Sequence, residues 1–449
     1  MTNCELPISE FVARRQRFLA QMTDNTVAVF YAGKELTRSN DTEYLFCQNK
    51  NFLYLTGFKE PDAILVMVKS ADKNHSILFC REKNPLQEVW HGRRVGVEQA
   101  KTAYQFEQSH GLADFELVIT ELLADKSQLW FCSDLDKENE QQLMACLATV
   151  KGQSRQGVCA PAILFDCTDA INEMRLIKSD AEIAVMKQVN KISGGAHQRA
   201  MEKCQPDKYE FQIEADILHE FARHGARHAA YSSIVAGGDN ANILHYTDND
   251  QILVDGDLLL IDAGGELHGY AADITRTFPI NGKFTSPQKQ LYQLVLQAQE
   301  QTISAIKPGV TLAHLNDIAC EVLTKGLLAL GILTGEYQQL LADKACKTYF
   351  IHGLGHWLGL DVHDVGSYHV INKRQERPFQ SGMVLTIEPG LYIPADATEV
   401  EPQWRGIGIR IEDNILVTDL GHENLTVNAP KLVEEIEAVM ANNNQGLLN

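Results

Sequence analysis

The chain has 449 residues, with 40 basic against 59 acidic side chains for a formal net charge of −19, and 45% hydrophobic against 22% charged residues. That balance gives a soluble chain with ample apolar material for a core. It excludes a protein built to neutralise nucleic-acid phosphates, because its basic spots, Arg14–Arg15–Gln16–Arg17 and Arg93–Arg94, are isolated.

No uncharged apolar stretch reaches the roughly 18–20 residues that span a bilayer. Ten cysteines are scattered from Cys4 to Cys346 without a Cys-x-x-Cys pair, and the first residues show neither the basic start nor the apolar run of a leader. These cysteines read as reduced thiols in a cytoplasmic protein.

In chain order, Phe11, Phe18, Leu19 and Met22 at helical spacing predict a helix over Ser9–Met22. Strand-like runs follow at Val27–Tyr31, Ala63–Val68, Ser76–Cys80, Phe115–Ile119 and Leu129–Cys132, with helical stretches at Gly96–Gln105 and Lys137–Leu147. This alternation predicts an α/β layer on a mostly parallel or mixed sheet. Ser179-Asp-Ala-Glu182 has the form of a capping box opening a helix to about Cys204. Further helices are expected over Lys208–His224, from a Ser286-Pro287 start, and from Thr311 to about Leu330. The chain is therefore divided into an N-terminal α/β domain, 1–176, and a larger α+β domain, 177–449.

The chemistry lies in the second part. Leu258-Leu-Leu-Ile-Asp262 is an apolar strand ending in a carboxylate, and Asp273 follows inside the alternating run Ala272–Thr277. A hairpin would set the two carboxylates side by side; a turn cap and a solvent-facing Asp is the plainer alternative. His352, His356 and His363 share one segment rich in glycine and large apolar groups, where a lone histidine would be a satisfied core residue. It is not the zincin helix, since no Glu follows His352. Met383–Glu388 is a second apolar strand ending in a carboxylate. In Gly406–Asp413 the isoleucines alternate, so Gly408, Arg410 and Glu412 share the other strand face, which on its own is no more than an ion pair. Together, four carboxylates and a histidine form an oxygen-rich set that suits two divalent ions, whose +4 balances the −4 of the carboxylates. Without metal, carboxylates clustered in one cavity would have to take up protons.

The order Asp262, Asp273, His356, Glu388, Glu412, with Asn51–Gly57, Glu88–Arg94, Ile243–Tyr246, His352–Asp364, Ile387–Tyr392 and Arg405–Asp413, resembles the metallopeptidase family of pita-bread fold, and most closely its bacterial aminopeptidase P members. The resemblance implies an N-terminal aminopeptidase P-type domain over 1–176 and a pita-bread catalytic domain over 177–449. It implies removal of the first residue from peptides with proline second, prolidase action on Xaa-Pro dipeptides being the alternative. A metal-free relative is disfavoured because all five ligand positions are filled. The implied cofactor is a pair of divalent ions, most typically Mn²⁺: Asp262 chelating one, Asp273 and Glu412 bridging, His356 and Glu388 completing the other. Glu388 is also the implied proton shuttle, His363 the oxyanion donor, and His245 and His352 the groups holding the substrate around its proline. Arg410 would orient groups across the site, and Tyr231, Tyr392, Trp90, Arg155 and Asp41 correspond to positions near the substrate channel. A homo-oligomer such as a tetramer is the implied assembly.

Overall fold

The structure, a computed structural model, describes residues 5–370 and 373–441; Cys4 lies outside them. The chain forms two compact units, Leu6–Arg175 and Leu176 onward.

In the first unit a six-stranded mixed sheet runs in the order Gln108–Gly111, His75–Cys80, Ile64–Lys69, Thr26–Tyr31, Gln128–Phe131, Ile163–Asp166. Thr26–Tyr31 is buried along its whole length, pairing antiparallel with Ile64–Lys69 and parallel with Gln128–Phe131. Its run of β-branched and aromatic residues, interrupted only by Ala28, suits a strand covered on both faces. Helix Ile8–Gln21 buries Arg14 and Arg15. Arg14 donates to Tyr54 O at 3.1 Å, and Arg15 to Leu55 O at 3.1 Å and Tyr104 O at 3.0 Å, so this basic spot closes free carbonyls at helix ends.

One expected strand is a helix. Phe115–Leu123 buries Phe115, Ile119 and Leu123, four residues apart, and leaves Leu117 exposed. Over five residues an apolar run does not distinguish the two periods. The outer strands Gln108–Gly111 and Ile163–Asp166 were not anticipated: the first has no apolar pattern, and the second is a short run of only four residues, which the structure leaves exposed throughout.

The second unit opens with the expected capping box: Ser179 Oγ accepts from Glu182 N at 3.4 Å, and Glu182 Oε2 accepts from Ser179 N at 2.9 Å. Helix Asp180–Lys203 packs on Glu210–Arg223, and Ser286–Ser304 packs on Leu312–Ala329. Ser286–Ser304 is capped by Thr285 rather than Ser286. Ile234–Gly237, Leu258–Asp262 and Thr275–Pro279 form one three-stranded antiparallel sheet. Val384–Ile387, Asp413–Val417 and His422–Asn424 form another, and Gly390–Ile393 pairs with Ile407–Arg410. With a third three-stranded sheet of His228–Ala229, Gly265–Leu267 and Tyr270–Ala271, two helix pairs and three small sheets make up the α+β unit expected of a pita-bread domain.

The expected single strand Gly406–Asp413 is broken. Ile407–Arg410 and Asp413–Val417 belong to different sheets, and between them Glu412 N donates to Thr275 O at 3.0 Å. No described helix is long and apolar enough to cross a membrane.

Candidate active site

Asp262 ends the strand Leu258–Asp262 and lies opposite Thr275 in the antiparallel ladder. The turn behind it is held by the helix Asp180–Lys203: His197 Nε2 bonds Ala263 O at 2.9 Å, and Gly265 N donates to Ser193 Oγ at 3.0 Å. The returning chain passes so close that a Cβ on Gly264 would sit 1.7 Å from Ala272 O. This contact brings Asp273 beside Asp262, and the Tyr231 hydroxyl lies 2.5 Å from an oxygen of each.

The histidine segment lies along the strand Val384–Ile387, with Leu358 N on Val384 O at 3.0 Å, Thr386 N on His356 O at 2.9 Å and Glu388 N on Leu354 O at 2.8 Å. A Cβ on Gly355 would fall 2.0 Å from Thr386 O, which accounts for glycine at that position. His356 Nδ1 bonds Trp357 O at 3.0 Å, leaving Nε2 to face Asp273 at 3.3 Å and Glu388 at 3.6 Å. Ligand atoms of Asp273, His356 and Glu412 all lie within 4.8 Å of one another. A cavity of about 270 Å³ is lined by Asp262, Asp273, His356, Glu388 and Glu412, and also by His245, His352, His363 and Arg410.

A second set of contacts crosses the site. Arg410 Nη2 donates to Asp262 Oδ2 at 2.6 Å and Nη1 to the Tyr392 hydroxyl at 2.9 Å. Having accepted from Arg410, that hydroxyl has its own proton for His352 Nε2, 2.7 Å away. His352 must therefore carry its proton on Nδ1, which donates to Gly353 O at 2.6 Å. Burial and the Arg410 charge hold this imidazole neutral, its pKa lowered to about 3. The rings of His356 and His363 stand 4.2 Å apart, while His245 and His363 are exposed at the cavity edge.

The electrostatics suit cations. Burial pushes Glu388 up to about 7 and Glu412 well above the usual carboxylate range, with neighbouring carboxylates adding to the rise at Glu412. Burial also raises Asp273, with Asp262 adding to it. Burial alone would lower His356, but its contact with Asp273 outweighs that and lifts it to about 9. Tyr231 has one proton for two carboxylate oxygens, so the second needs a proton or a cation. Oxygen donors from four carboxylates and one imidazole nitrogen fit a pair of hard or borderline divalent ions, with no thiolate among them.

Comparison with known proteins agrees. The profile of metallopeptidase family M24 matches residues 184–419, and that of the aminopeptidase P N-terminal domain matches residues 11–130. The chain belongs to metallopeptidase family M24. Among family members, the Xaa-Pro aminopeptidase of Escherichia coli strain K12 is 45% identical over 437 residues, covering 97% of this chain and 98% of the relative. The Xaa-Pro aminopeptidase of Haemophilus influenzae is 44% identical over 436 residues, covering 97% and 98%. The solved structure of aminopeptidase P from E. coli with the inhibitor Pro-Leu has a TM-score of 0.95 at 44% identity, covering 98% of this chain and 100% of that one. The zinc-substituted E. coli enzyme in complex with product has a TM-score of 0.95, also at 44% identity, with coverages of 98% and 99%. This M24 chain is a metallo-aminopeptidase, with an aminopeptidase P-type N-terminal domain ahead of its pita-bread domain.

The remaining residues singled out from the sequence lie in the first unit. Trp90 is 82% exposed on helix Pro85–His91, Asp41 is exposed between the short strands Thr37–Ser39 and Thr42–Glu43, and Arg155 is exposed on the turn Ser154–Gln156.

Three residues of this M24 site were missed. Thr275 Oγ1 donates to Glu412 Oε2 at 2.7 Å and accepts from Arg410 Nε at 3.0 Å. Thr277 Oγ1 donates to Arg410 O at 3.0 Å, and Thr386 Oγ1 lies between His356 N at 3.0 Å and Glu388 Oε1 at 3.3 Å. The signal was present in the strand period: alternate residues share a face, which groups Asp273, Thr275 and Thr277, and also Thr386 and Glu388.

Proposed function

We propose that this chain is an Xaa-Pro aminopeptidase, with Asp262, Asp273, His356, Glu388 and Glu412 holding two divalent ions, Mn²⁺ in the working enzyme. The observation that carries the reading is the concentration of these carboxylates in one cavity, where they demand either protons or cations. Bound there, the ions supply Lewis-acid polarisation of the scissile carbonyl and a nucleophilic water at neutral pH.

The chain's own groups do the rest. Glu388, lifted by burial to about 7, is poised to take a proton and pass it to the departing proline nitrogen. That nitrogen has no hydrogen in an Xaa–Pro bond, so it leaves as an amine only once protonated. His363, at the cavity edge, donates its N–H to the carbonyl oxygen as negative charge develops there. Both nitrogens of His352 are already bonded, so it meets the proline through its ring edge, while His245, exposed at the cavity edge, bonds the substrate backbone. Arg410 fixes Asp262 and, through Tyr392, His352. Tyr231 holds the two aspartates together, and the exposed Trp90, Asp41 and Arg155 serve peptide binding.

The working division is an N-terminal domain over 1–176 and a catalytic domain over 177–449. A cytoplasmic location is supported by the described cysteines, none of which forms a disulfide. A homo-oligomer is supported by Leu86, Val89 and Trp90, at 78%, 80% and 82% exposed on one helix. The test compares alanine release from Ala-Pro-Ala and from Ala-Pro by the Mn²⁺-loaded protein. Rapid release from the tripeptide with little from the dipeptide is expected; the reverse preference would make the protein a prolidase.

A further inference from the structure

Gln299 lies in the C-terminal half of helix Ser286–Ser304 and is fully buried. Its Nε2 donates to two main-chain carbonyls, Ile387 O at 3.3 Å and Ile411 O at 3.1 Å. Each carbonyl belongs to the residue immediately before a carboxylate of the site, Glu388 in one case and Glu412 in the other. One primary amide thus spans two backbone segments that leave different strands, Val384–Ile387 and Ile407–Arg410.

The amide's orientation is fixed by its other end. Lys431 Nζ donates to Gln299 Oε1 at 2.8 Å and to Asp413 Oδ2 at 2.6 Å. A reversed amide would set its oxygen against two carbonyl oxygens and its hydrogens against an ammonium. The network then returns to the same backbone: Asp413 Oδ1 accepts from Arg276 Nη2 at 2.7 Å, and Arg276 Nη1 donates to Glu412 O at 2.6 Å. Arg276 and Lys431 hold the Asp413 carboxylate well below the usual range despite its burial, so Gln299 is backed by a charged network in which Arg276 and Asp413 are fully buried and Lys431 is half-buried. Neither Gln299 nor Lys431 lines the cavity.

We propose that Gln299, oriented by Lys431, is a positioning residue that sets the separation of Glu388 and Glu412, and so the affinity of the site for its second ion. This rests on the reading that both glutamates are metal ligands. No other side chain of this length offers two N–H groups on one nitrogen together with an acceptor for an ammonium. Glutamate keeps the acceptor and loses both donors. Methionine fills the space and loses everything.

The experiment titrates metal-free protein with MnCl₂, counting bound ions by calorimetry and elemental analysis. Parent, Gln299→Glu, Gln299→Met and Lys431→Met are compared, with circular dichroism and unfolding of the metal-free forms as the check on folding. Parent protein is expected to bind two ions. Gln299→Glu and Gln299→Met are expected to bind the weaker ion about 10- to 100-fold less tightly, the range typical when the support behind a ligand is lost. Lys431→Met should show a smaller loss of the same kind, and saturating Mn²⁺ should restore turnover in every folded variant. Folded variants that bind both ions within threefold of the parent would overturn the proposal. Failure of all three to fold would also overturn it, by showing that the contact serves the core. A parent that binds fewer than two ions would refute the ligand assignment itself, a distinct outcome.

Discussion

Arg410 Nη2 and Asp262 Oδ2 lie 2.6 Å apart, joining the strand Ile407–Arg410 to the strand Leu258–Asp262. The guanidinium suits this place because it has five donors in a fixed plane: Nη2 serves Asp262, Nη1 serves Tyr392 and Nε serves Thr275. A lysine would carry the charge without the geometry. Arg410→Lys is therefore expected to lower kcat/KM about 10- to 100-fold, the equivalent of losing one hydrogen bond to a charged group. Tyr392→Phe, which removes the acceptor of Nη1 and the relay to His352 but leaves the Arg410–Asp262 contact in place, should cost less, about 3- to 10-fold. Steady-state kinetics on one Xaa-Pro tripeptide check both, and an Arg410→Lys enzyme with parental kcat/KM would remove the guanidinium from the mechanism.

Gly264 and Gly195 give opposite expectations for the same substitution. A Cβ at Gly264 would meet the main chain, 1.7 Å from Ala272 O, and could be accommodated only by moving Asp262 away from Asp273. Gly264→Ala should lose at least one bound ion and most activity. Gly195 lies within helix Asp180–Lys203 with nothing within 4 Å of an added Cβ. Gly195→Ala should stabilise by up to about 1 kcal/mol, the helix-propensity difference. Ion counts and denaturant midpoints for the pair make the comparison.

The residues of the site could be read from the sequence because each sits at a strand end or in a glycine-dense turn, with apolar runs before it. Their mutual arrangement could not. The supports come from distant segments: His197 and Ser193 reach the turn after Asp262 from a helix, and Gln299 reaches two strands from another. Such residues look like ordinary polar positions on amphipathic helices. Thr275 and Thr386 could have been found by asking which neighbours share a strand face with a carboxylate. The break after Arg410 could not, since alternation persists through Ile411 and only the change of partner strand reveals it. The Phe115–Leu123 helix was misread because its first residues fit either period.

Acid sensitivity of the second unit is expected to include His197. Burial lowers its pKa to about 4, and Nε2 bonds Ala263 O at 2.9 Å while Nδ1 has no partner among the described residues. The folded state thus binds a proton less readily than the unfolded chain, whose histidine titrates near 6.5. The stabilisation is fully present above about pH 6.5 and is lost progressively as pH falls towards 4, reaching about 3 kcal/mol. His197→Gln keeps a donor for Ala263 O but has no titration in that window. Denaturant midpoints measured from pH 7 to pH 4 should fall less steeply for His197→Gln than for the parent. Parallel slopes would exclude His197 as a source of acid sensitivity.

The central claim is that Xaa–Pro cleavage depends on two divalent ions held by Asp262, Asp273, His356, Glu388 and Glu412. Its most direct test is to strip the protein with a chelator, add Mn²⁺ stepwise, and follow alanine release from Ala-Pro-Ala alongside the ions bound per chain. The stripped protein should be silent, activity should rise with bound metal, and both should level off at two ions. Undiminished alanine release from the fully stripped protein, or no release with both ions bound, would contradict it.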